Sequence, residues 1–435
     1  MLYIFSSWKL KRLTLIVLMV IVNALSGCRN PENGKVTGVS VIADSNSSQA
    51  NTGQKNNVVE LEFLQFFPIT SAFDAVIAKF QEKYPHIKIK QTYLPDAAKV
   101  LEIRMLTGEA PDLFSIEANA AYRNYAKNQQ IVDLSNESFM KRVNPEALEI
   151  IDFDGKKYGM PGAFNTMGIY FNKKIFTDLG ITVPQTKSDL MTIADKLNTA
   201  GIMPFAVPDK DMPSINKLDF QGYTGVYTDI PKKIFWDAMD KKAHLTESEA
   251  LHKAVQLYLD LRKYSENSSD ISMEEAINQF ASGKAAMLPS VSFASGKIKG
   301  INPNLEFSIF PIPGDDPSKI RVPVGIGFQF AISSNSKHID EAKLFLDFWS
   351  QTENASFFES LDLAPSAIIN LPSSIKETDL IRHYIDQGKT FQWPGEKYWS
   401  VSQINDFAAH SKILIQTKDV NHYFTAIDSF FYGIN

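Results

Sequence analysis

The stretch DFDGKKYGMPGAFNTMGIYFNKKIFTDLGITVPQT, residues Asp152–Thr186, decides how the chain folds. Asp154-Gly155 is a turn dipeptide between two strand-like runs, because glycine takes a positive φ without steric cost. Met167–Phe171 is an apolar run bounded by turn residues, which predicts a buried strand. Asn172 follows it as the predicted N-cap of a helix. A turn, a buried strand and a helix are therefore expected in this order.

Glycine, proline and capping residues predict further boundaries. Tyr158–Gly162 contains too much glycine and proline for a helix or a central strand. Thr186 with an aspartate three residues on predicts a capped helix. The same spacing at Thr246 and at Ser272, each followed three residues later by a glutamate, predicts two more capping boxes. The middle of the chain is therefore expected to be mostly helical.

Three segments of the opening stretch carry a family resemblance. They are G-K-x-Y-x-x-P at Gly155–Pro161, Y-x-N-K-x-x-F at Tyr170–Phe176 and G-x-x-x-P-x-T at Gly180–Thr186. In this order and spacing they resemble the signature of family 1 extracellular solute-binding proteins, the sugar-binding, maltose-binding-protein-like group of ABC importers. In that family the chain first crosses here from one lobe to the other. The resemblance implies that Ala163–Met167 is the first crossing.

The first part of the folded chain alternates strand and helix patterns. Val58–Phe67, Ile87–Tyr93 and Asp112–Ile116 predict strands, with helical periodicity between them. Ser71 is the predicted cap of the first helix. A βαβαβ order predicts a parallel sheet, and ligands of such sheets bind beyond the carboxyl ends of the strands. The loops after the first and third strands are therefore expected at a binding cleft.

Four further segments extend the resemblance over roughly Val58–Ser366. They are Gly108–Leu113, Phe280–Met287, Val324–Ser333, which returns the chain to the first lobe, and Ala364–Ser366, the last crossing. The implied fold class is α/β and periplasmic-binding-protein-like, with two α/β lobes, a central cleft and three hinge crossings. The expected boundaries are 58–164 with 322–361 for lobe 1, and 165–321 with 362–435 for lobe 2.

Composition and charge argue against several classes of function. The 435 residues carry a net charge of −5 without a basic stripe, which argues against a nucleic-acid partner. The seven histidines lack H-E-x-x-H or paired spacing, and Tyr122 with Tyr125 favours a partly buried helix face, so neither a metal nor a cofactor is expected. No G-x-S-x-G motif and no thiol besides Cys28 is present. The 49 acidic residues leave a glycosidase pair open, although no spacing marks one.

The N-terminus has the pattern of an export and lipidation signal. Residues 1–27 contain a basic segment followed by the apolar run Leu13–Leu25, which is shorter than the about 20 residues of a bilayer span. Leu25–Cys28 resembles a bacterial lipobox, which implies that Cys28 is lipidated and becomes the mature N-terminus. Residues 28–57 are polar and predict a flexible tether.

Candidate ligand contacts come from the strand ends, the crossings and the aromatic residues in loops. An aromatic face suits a sugar, because C–H groups pack on the ring while hydroxyls bond to polar groups around it. The candidates are Gln65, Phe66, Phe67, Glu117, Asn119, Asn165, Thr166, Trp236, Ser290, Ser292, Phe293, Gly327, Phe328 and Trp393. Trp349 lies on a helical apolar stripe and is predicted to be a core residue. Tyr170 is predicted to be a buried structural ring.

The resemblance implies a binding protein and not an enzyme. It describes a lipid-anchored, monomeric receptor on the extracytoplasmic face of the cell membrane, which binds a carbohydrate, expected to be an oligosaccharide, and delivers it to an ABC permease. Two alternatives remain open. One keeps the fold but binds a non-sugar solute such as a polyamine or iron, and the other is a surface enzyme that acts on glycans.

Overall fold

The computed structural model describes residues 58–67, 69–94, 96–210, 222–228, 231–265, 267–371, 375–393 and 401–432. The predicted export signal 1–27, the lipidation site Cys28 and the tether 28–57 lie outside the described residues. Val58, the first described residue, directly precedes the first strand.

The first three strands form the parallel sheet that the sequence predicts. β1 (Val59–Gln65) pairs in parallel with β2 (Ile87–Tyr93) on one side and with β3 (Leu113–Ile116) on the other. α1 (Thr70–Lys83) joins β1 to β2, and α2 (Ala97–Thr107) joins β2 to β3. The predicted βαβαβ unit is therefore confirmed.

β4 (Met160–Asn172) is a long strand that two sheets share. Its first half pairs antiparallel with β8 (Val322–Ile332) as far as Thr166. From Met167 onward it pairs with β6 (Ala285–Val291) instead. β8 also pairs with β3, so the first sheet has the order β2-β1-β3-β8-β4. The chain thus passes from the first sheet to the second between Thr166 and Met167.

The prediction that Tyr158–Gly162 lies outside a central strand is wrong for its last three residues. These residues belong to β4, and the pairing with β8 shifts register on both sides of Ala163. Such an irregularity accommodates Pro161, which cannot donate a ladder hydrogen bond. Gly162 is required by packing, because a Cβ atom there would lie 2.2 Å from the ring of Phe328.

The second sheet is built on the second half of β4. β6 and β7 (Phe307–Phe310) flank it, both antiparallel. β5 (Met203–Phe205) lies beside β6 in parallel. β9 (Thr390–Gln392) pairs in parallel with the first residues of β8, at the point where the two sheets meet.

A third segment of chain runs beside these strands. The N–H of Phe164 donates to the carbonyl of Pro365 (2.7 Å), and the N–H of Ala367 donates to the carbonyl of Gly162 (3.1 Å). Together with β4 and β8, the segment 364–368 is the third of three crossings that lie side by side. The architecture is thus a two-lobe α/β fold joined by three crossings.

Thirteen further helices follow α1 and α2 in the described ranges. They are α3 (Ala120–Lys127), α4 (Pro145–Ile150), α5 (Lys173–Asp178), α6 (Lys187–Thr199), α7 (Pro231–Met239), α8 (Glu249–Arg262), α9 (Met273–Ala281), α10 (Ala294–Ile301), α11 (Ile339–Trp349), α12 (Thr352–Asp362), α13 (Asp379–Asp386), α14 (Val401–Thr417) and α15 (Val420–Tyr432). α12 packs against α1 and α11 of the first lobe, whereas α13 packs against β7 of the second sheet.

An aromatic cluster forms the core between the first sheet and its helices. The rings of Phe73, Phe328, Phe330 and Trp349 have centroids 4.8–6.1 Å apart, mostly in edge-to-face arrangements. Such ring pairs add about 0.5–1.5 kcal/mol each beyond the burial of their area. Trp349 is fully buried, which confirms its predicted core position.

Several predicted helix caps are confirmed. Asn172 accepts the N–H of the third residue of α5 at 3.2 Å. Thr186 and Asp189 form a capping box in which both reciprocal hydrogen bonds are present. Ser272 caps α9 by accepting the N–H of Glu275 at 3.1 Å, but the Glu275 carboxylate accepts from Gln279, so only the cap and not the predicted capping box is shown. These ends are determined by local sequence, because each cap bonds within one helical turn.

Two predicted caps are wrong. α1 begins at Thr70, so Ser71 lies inside the first turn and the helix has no side-chain cap. α8 is capped by Ser248 and not by Thr246. Thr246 instead donates its hydroxyl to the buried carboxylate of Asp428 at 3.0 Å. A tertiary partner from α15 therefore displaces the local capping pattern.

Candidate functional site

The carboxyl ends of β1 and β3 mark the candidate site. β1 ends at Gln65 and β3 ends at Ile116, and the two strands are parallel neighbours. Beyond this edge β4 and β8 continue toward the second sheet. The loops after β1 and β3 therefore lie next to the crossings, where open parallel sheets bind their ligands.

The loop after β1 is held by its backbone. The N–H of Phe66 donates to Ser115 Oγ and the N–H of Phe67 donates to Gln65 Oε1, both at 2.9 Å. The ring of Phe67 lies 5.9 Å from that of Phe328, centroid to centroid. Phe66 and Phe67 stay partly exposed, whereas Gln65 and Phe328 are buried. Gln65 and Phe328 thus hold Phe67 in place, while the rings of Phe66 and Phe67 remain partly exposed.

The loop after β3 presents a carboxylate. Glu117 is exposed, and its Oε2 lies 3.4 Å from the Nδ2 of Asn119, which donates to it. The Oδ1 of Asn119 caps α3 by accepting the N–H groups of Ala121 (3.0 Å) and Tyr122 (3.3 Å). Asn119 therefore has a structural task, and its amide orients the carboxylate of Glu117.

The crossings contain two partly exposed positions within otherwise buried strands. These are Asn165 in β4 and Gly327 in β8. Asn165 pairs with Gly325, which has no side chain, so the amide of Asn165 lies opposite bare backbone. Gly327 is the unpaired residue at the register shift, and a Cβ atom there would lie 3.3 Å from the backbone of Ala163 and Phe164. This arrangement leaves donors and acceptors within reach of a solute.

Thr166, Ser290 and Ser292 are buried, and the backbone of Thr166 bonds to Ser292, whereas the Thr166 Oγ1 has no hydrogen-bond partner among the described residues. The N–H of Ser292 donates to the carbonyl of Thr166 (2.8 Å), and the N–H of Thr166 donates to Ser292 Oγ (3.3 Å). The hydroxyl of Tyr170 lies 2.8 Å from Ser295 Oγ and 3.1 Å from the carbonyl of Ser292. Burial raises the pKa of Tyr170, so its hydroxyl stays protonated. These residues join β4 to the end of β6, and Tyr170 is the buried structural ring that the sequence predicts.

Trp393 reaches the crossings from the end of β9. Its backbone N–H donates to the carbonyl of Val324 at 3.3 Å, and Val324 is the partner of Thr166 in the sheet. The indole Nε1 is buried and has no hydrogen-bond partner among the described residues. The indole is 3% exposed and lies against Gly222, where a Cβ atom would come within 3.2 Å of the ring. The segment 222–228 therefore covers Trp393 in this conformation.

The two remaining aromatic candidates lie at different distances from the crossings. Phe293 follows Ser292 directly, is 43% exposed and stands just before α10. The Nζ of Lys297 lies 5.4 Å from the centroid of its ring. Trp236 lies on α7, which packs against β9. Phe293 is thus an exposed ring just beyond the end of β6, and Trp236 is partly exposed.

Sequence reasoning missed a polar pair between α4 and β9. The Nε2 of Gln392 donates to the Oε1 of Glu146 at 3.4 Å, beside Trp393 in the chain. The position of Gln392 next to the candidate contact Trp393 was some indication from the sequence. Nothing in the sequence indicated Glu146, because no local pattern distinguishes it from other glutamates at the start of a helix.

Two other kinds of site were sought in the described ranges. No group of three or more His, Cys, Asp or Glu residues is placed there to hold a metal ion. The hydroxyl of Tyr122 donates to the carbonyl of Ile151 (2.8 Å) and accepts the N–H of Tyr158 (3.0 Å), so this tyrosine is structural. None of the described helices is both long and apolar enough to span a bilayer.

Sequence comparison identifies relatives along most of the chain. The profile of a family described as bacterial extracellular solute-binding protein matches residues 68–356. The multiple sugar-binding protein of Streptococcus mutans is 24% identical over 402 residues, which cover 90% of this chain and 94% of that protein. The melibiose/raffinose/stachyose-binding protein MelE of Bacillus subtilis is 24% identical over 332 residues, covering 72% and 75%.

Solved structures share the fold. The apo form of RafE from Streptococcus pneumoniae superposes with a TM-score of 0.75 at 24% identity, covering 87% of this chain and 98% of RafE. RafE in complex with raffinose gives a TM-score of 0.73 at 22% identity, covering 86% and 99%. A probable secreted solute-binding lipoprotein from Streptomyces coelicolor gives 0.70 at 17% identity, covering 86% and 99%.

Proposed function

The chain belongs to the bacterial extracellular solute-binding protein family, and we propose that it captures an oligosaccharide between its two lobes and delivers it to an ABC permease. Two similar proteins are named for binding multiple sugars and for binding melibiose, raffinose and stachyose. RafE, which shares the fold, has been solved with raffinose. A galactose-containing oligosaccharide is accordingly the first ligand to test.

One observation supports the proposal: partly exposed aromatic rings and polar groups lie on segments that adjoin the crossings. Phe66, Phe67 and Phe293 supply ring faces on which the C–H groups of a sugar pack. Glu117 accepts hydrogen bonds from hydroxyls, and the amide of Asn165 both donates and accepts them. This mixture suits a neutral polyhydroxylated ligand better than a compact cation, which favours clustered anionic ligands.

The remaining candidates either support neighbouring groups or contact the ligand only after a conformational change. Thr166, Ser290, Ser292 and Trp393 are buried in the conformation described, so they meet a ligand only when segments over them shift. Gln65, Asn119 and Phe328 hold neighbouring groups in place, and Gly327 allows β8 to approach the backbone of Ala163 and Phe164 closely. Trp236 contributes from α7. The proposed lobes are 58–164 with 322–361 and 165–321 with 362–435, and ligand contacts to both favour the closed form.

The proposed location of the protein is the extracytoplasmic face of the cell membrane. The apolar run Leu13–Leu25 directs export, and Cys28 receives the lipid that anchors the protein. Residues 28–57 then tether the lobes to the membrane as a monomer. Labelling with a fatty-acid analogue in cells tests the anchor, because incorporation is expected in the native chain and lost in Cys28→Ser.

Calorimetry with a panel of solutes tests the ligand class. The panel contains raffinose, stachyose, melibiose and maltotriose, with spermidine and ferric citrate as the non-sugar arm. Binding of at least one oligosaccharide with a dissociation constant of about 1 μM or tighter is expected, which corresponds to about −8.2 kcal/mol.

Two outcomes contradict the sugar assignment. One is binding of spermidine or ferric citrate with none of any sugar. The other is slow release of monosaccharide from a bound oligosaccharide, abolished by a single carboxylate substitution, which identifies an enzyme. In either case the family and the fold stand.

A further inference from the structure

Glu359 lies where α12 ends and the third crossing begins. α12 packs mainly against α1 of the first lobe and also contacts α10, whereas α13 packs mainly against β7 of the second sheet and also contacts β8. Glu359 is 2% exposed, and its Oε1 lies 3.5 Å from Nη1 of Arg382 on α13. This buried pair therefore connects two helices whose main contacts lie in different lobes.

Arg382 is held mainly by other partners. Its Nε donates to Asp386 Oδ1 at 2.9 Å, and its Nη2 donates to the carbonyl of Ile368 in the third crossing at 3.3 Å. The contact with Glu359 is longer than the 2.7–2.9 Å typical of a charge-assisted hydrogen bond. Among the described residues, Glu359 Oε2 has no hydrogen-bond partner although it is buried. The environment thus only partly satisfies an ionised Glu359.

The protonation of Glu359 follows from this environment. Burial raises its pKa to about 7, while Arg382 and the backbone N–H of Ser366 oppose the rise and the carboxylates of Asp386 and Asp362 add to it. Burial also raises the pKa of Asp362 to about 6. The neutral acid is therefore favoured in this conformation. Its stabilising contribution is complete below the ordinary pKa of a glutamate and is lost as the pH rises through about 7.

We propose that Glu359 is a positioning residue for solute capture, which couples its own protonation to the angle between the lobes. When neutral, it fits between α12 and α13 as described here. When ionised, it favours a hinge position in which water or a closer Arg382 solvates the carboxylate, because a buried and poorly paired charge is costly. This role rests on the proposed function, since it matters only if capture involves movement of the lobes. The hinge position itself can be measured without any ligand.

The experiment measures the distance between the lobes as a function of pH. In the full chain carrying Cys28→Ser, the exposed residues Lys88 on β2 and Lys196 on α6 are replaced by cysteine and labelled with a fluorescent donor and acceptor. The transfer efficiency is expected to change between about pH 5.5 and about pH 8, with a midpoint near 7. Glu359→Gln, which is neutral at every pH, is expected to keep at about pH 8 the value that the parent shows at about pH 5.5.

Glu353→Gln provides the matched control, because Glu353 is exposed on the same helix. It should reproduce the pH profile of the parent. An unchanged profile in Glu359→Gln, or a flat profile in the parent, overturns the proposal. If Glu359→Gln does not fold, Asp386→Asn replaces it: the amplitude should persist with a midpoint at lower pH, and an unshifted midpoint again overturns the proposal. Failure of all sugars to bind would contradict the proposed function but would leave this distance measurement valid.

Discussion

The loops after β1 and β3 differ from the junction of β4 and β6 in how they use polar residues. Glu117 is exposed at the edge of the first sheet, next to partly exposed aromatic rings. Thr166 and Ser292 are buried at the junction and bond to each other. Both regions adjoin the crossings, but β1 and β3 end there whereas β4 continues between neighbours. A side chain at a strand end reaches solvent, whereas at the junction the backbone of Thr166 and the Oγ of Ser292 join the strands and the buried Thr166 hydroxyl has no hydrogen-bond partner among the described residues.

Phe328→Ala has the largest expected effect and tests the first half of this comparison. The substitution removes a buried ring that packs on Phe67, Phe73 and Trp349, and it should lower the free energy of unfolding by about 3–5 kcal/mol. Urea denaturation followed by tryptophan fluorescence measures this loss. Phe66→Ala is the matched control and should leave the free energy of unfolding within about 1 kcal/mol while weakening sugar binding. Native stability with lost affinity in Phe328→Ala would show that this ring faces the ligand.

Asn165→Ala is expected to weaken sugar binding by about 1.5–3 kcal/mol, or tenfold and more in the dissociation constant. The amide is partly exposed opposite Gly325, so its loss removes ligand hydrogen bonds with little change in packing. Calorimetry with the sugar that the parent protein binds measures the effect. Asn198→Ala, at an exposed position of α6, should leave the affinity unchanged. Equal affinities of Asn165→Ala and the parent would place the ligand elsewhere.

Tyr170→Phe has the smallest expected effect of the three substitutions and tests the junction of β4 and β6. The hydroxyl is buried against Ser295 Oγ and the carbonyl of Ser292, so its removal should cost about 1–2 kcal/mol of unfolding free energy. The dissociation constant for sugar should not change, because the ring lies in the core. Thermal unfolding and calorimetry on the same sample separate the two effects. A loss of affinity without a loss of stability would contradict a purely structural role for this tyrosine.

Local sequence predicted the parts of the fold that bond locally. The caps at Asn172 and Thr186 and the buried run Met167–Phe171 are examples, because each depends on residues within one turn or one strand. The cap at Thr246 was predicted wrongly, because Asp428, far along the chain, binds its hydroxyl. Tyr158–Gly162 misled for a related reason: a register shift and the ring of Phe328 make proline and glycine acceptable in a central strand.

The candidate site was predictable in position more than in detail. The strand ends at Gln65 and Ile116 follow from the βαβαβ pattern, and the rule for parallel sheets indicates their loops. The pair Glu146 and Gln392 was not predictable, since a contact between residues so far apart in the chain leaves no local pattern. The same holds for Glu359 and Arg382, which meet only because α12 and α13 lie on either side of the third crossing.

By itself the sequence determined the strands and helix ends that depend on local residues, and its motifs indicated the family and the stretch in which the chain changes lobes. The partner of β4 changes between Thr166 and Met167, inside the stretch Ala163–Met167. Only the tertiary structure decided which polar side chains near that point are exposed to solvent. Exposure depends on what packs above a side chain, and here those neighbours come from β6, β9 and the segment 222–228. Asn165 and Thr166, adjacent in sequence, therefore differ: one meets solvent and the other is buried.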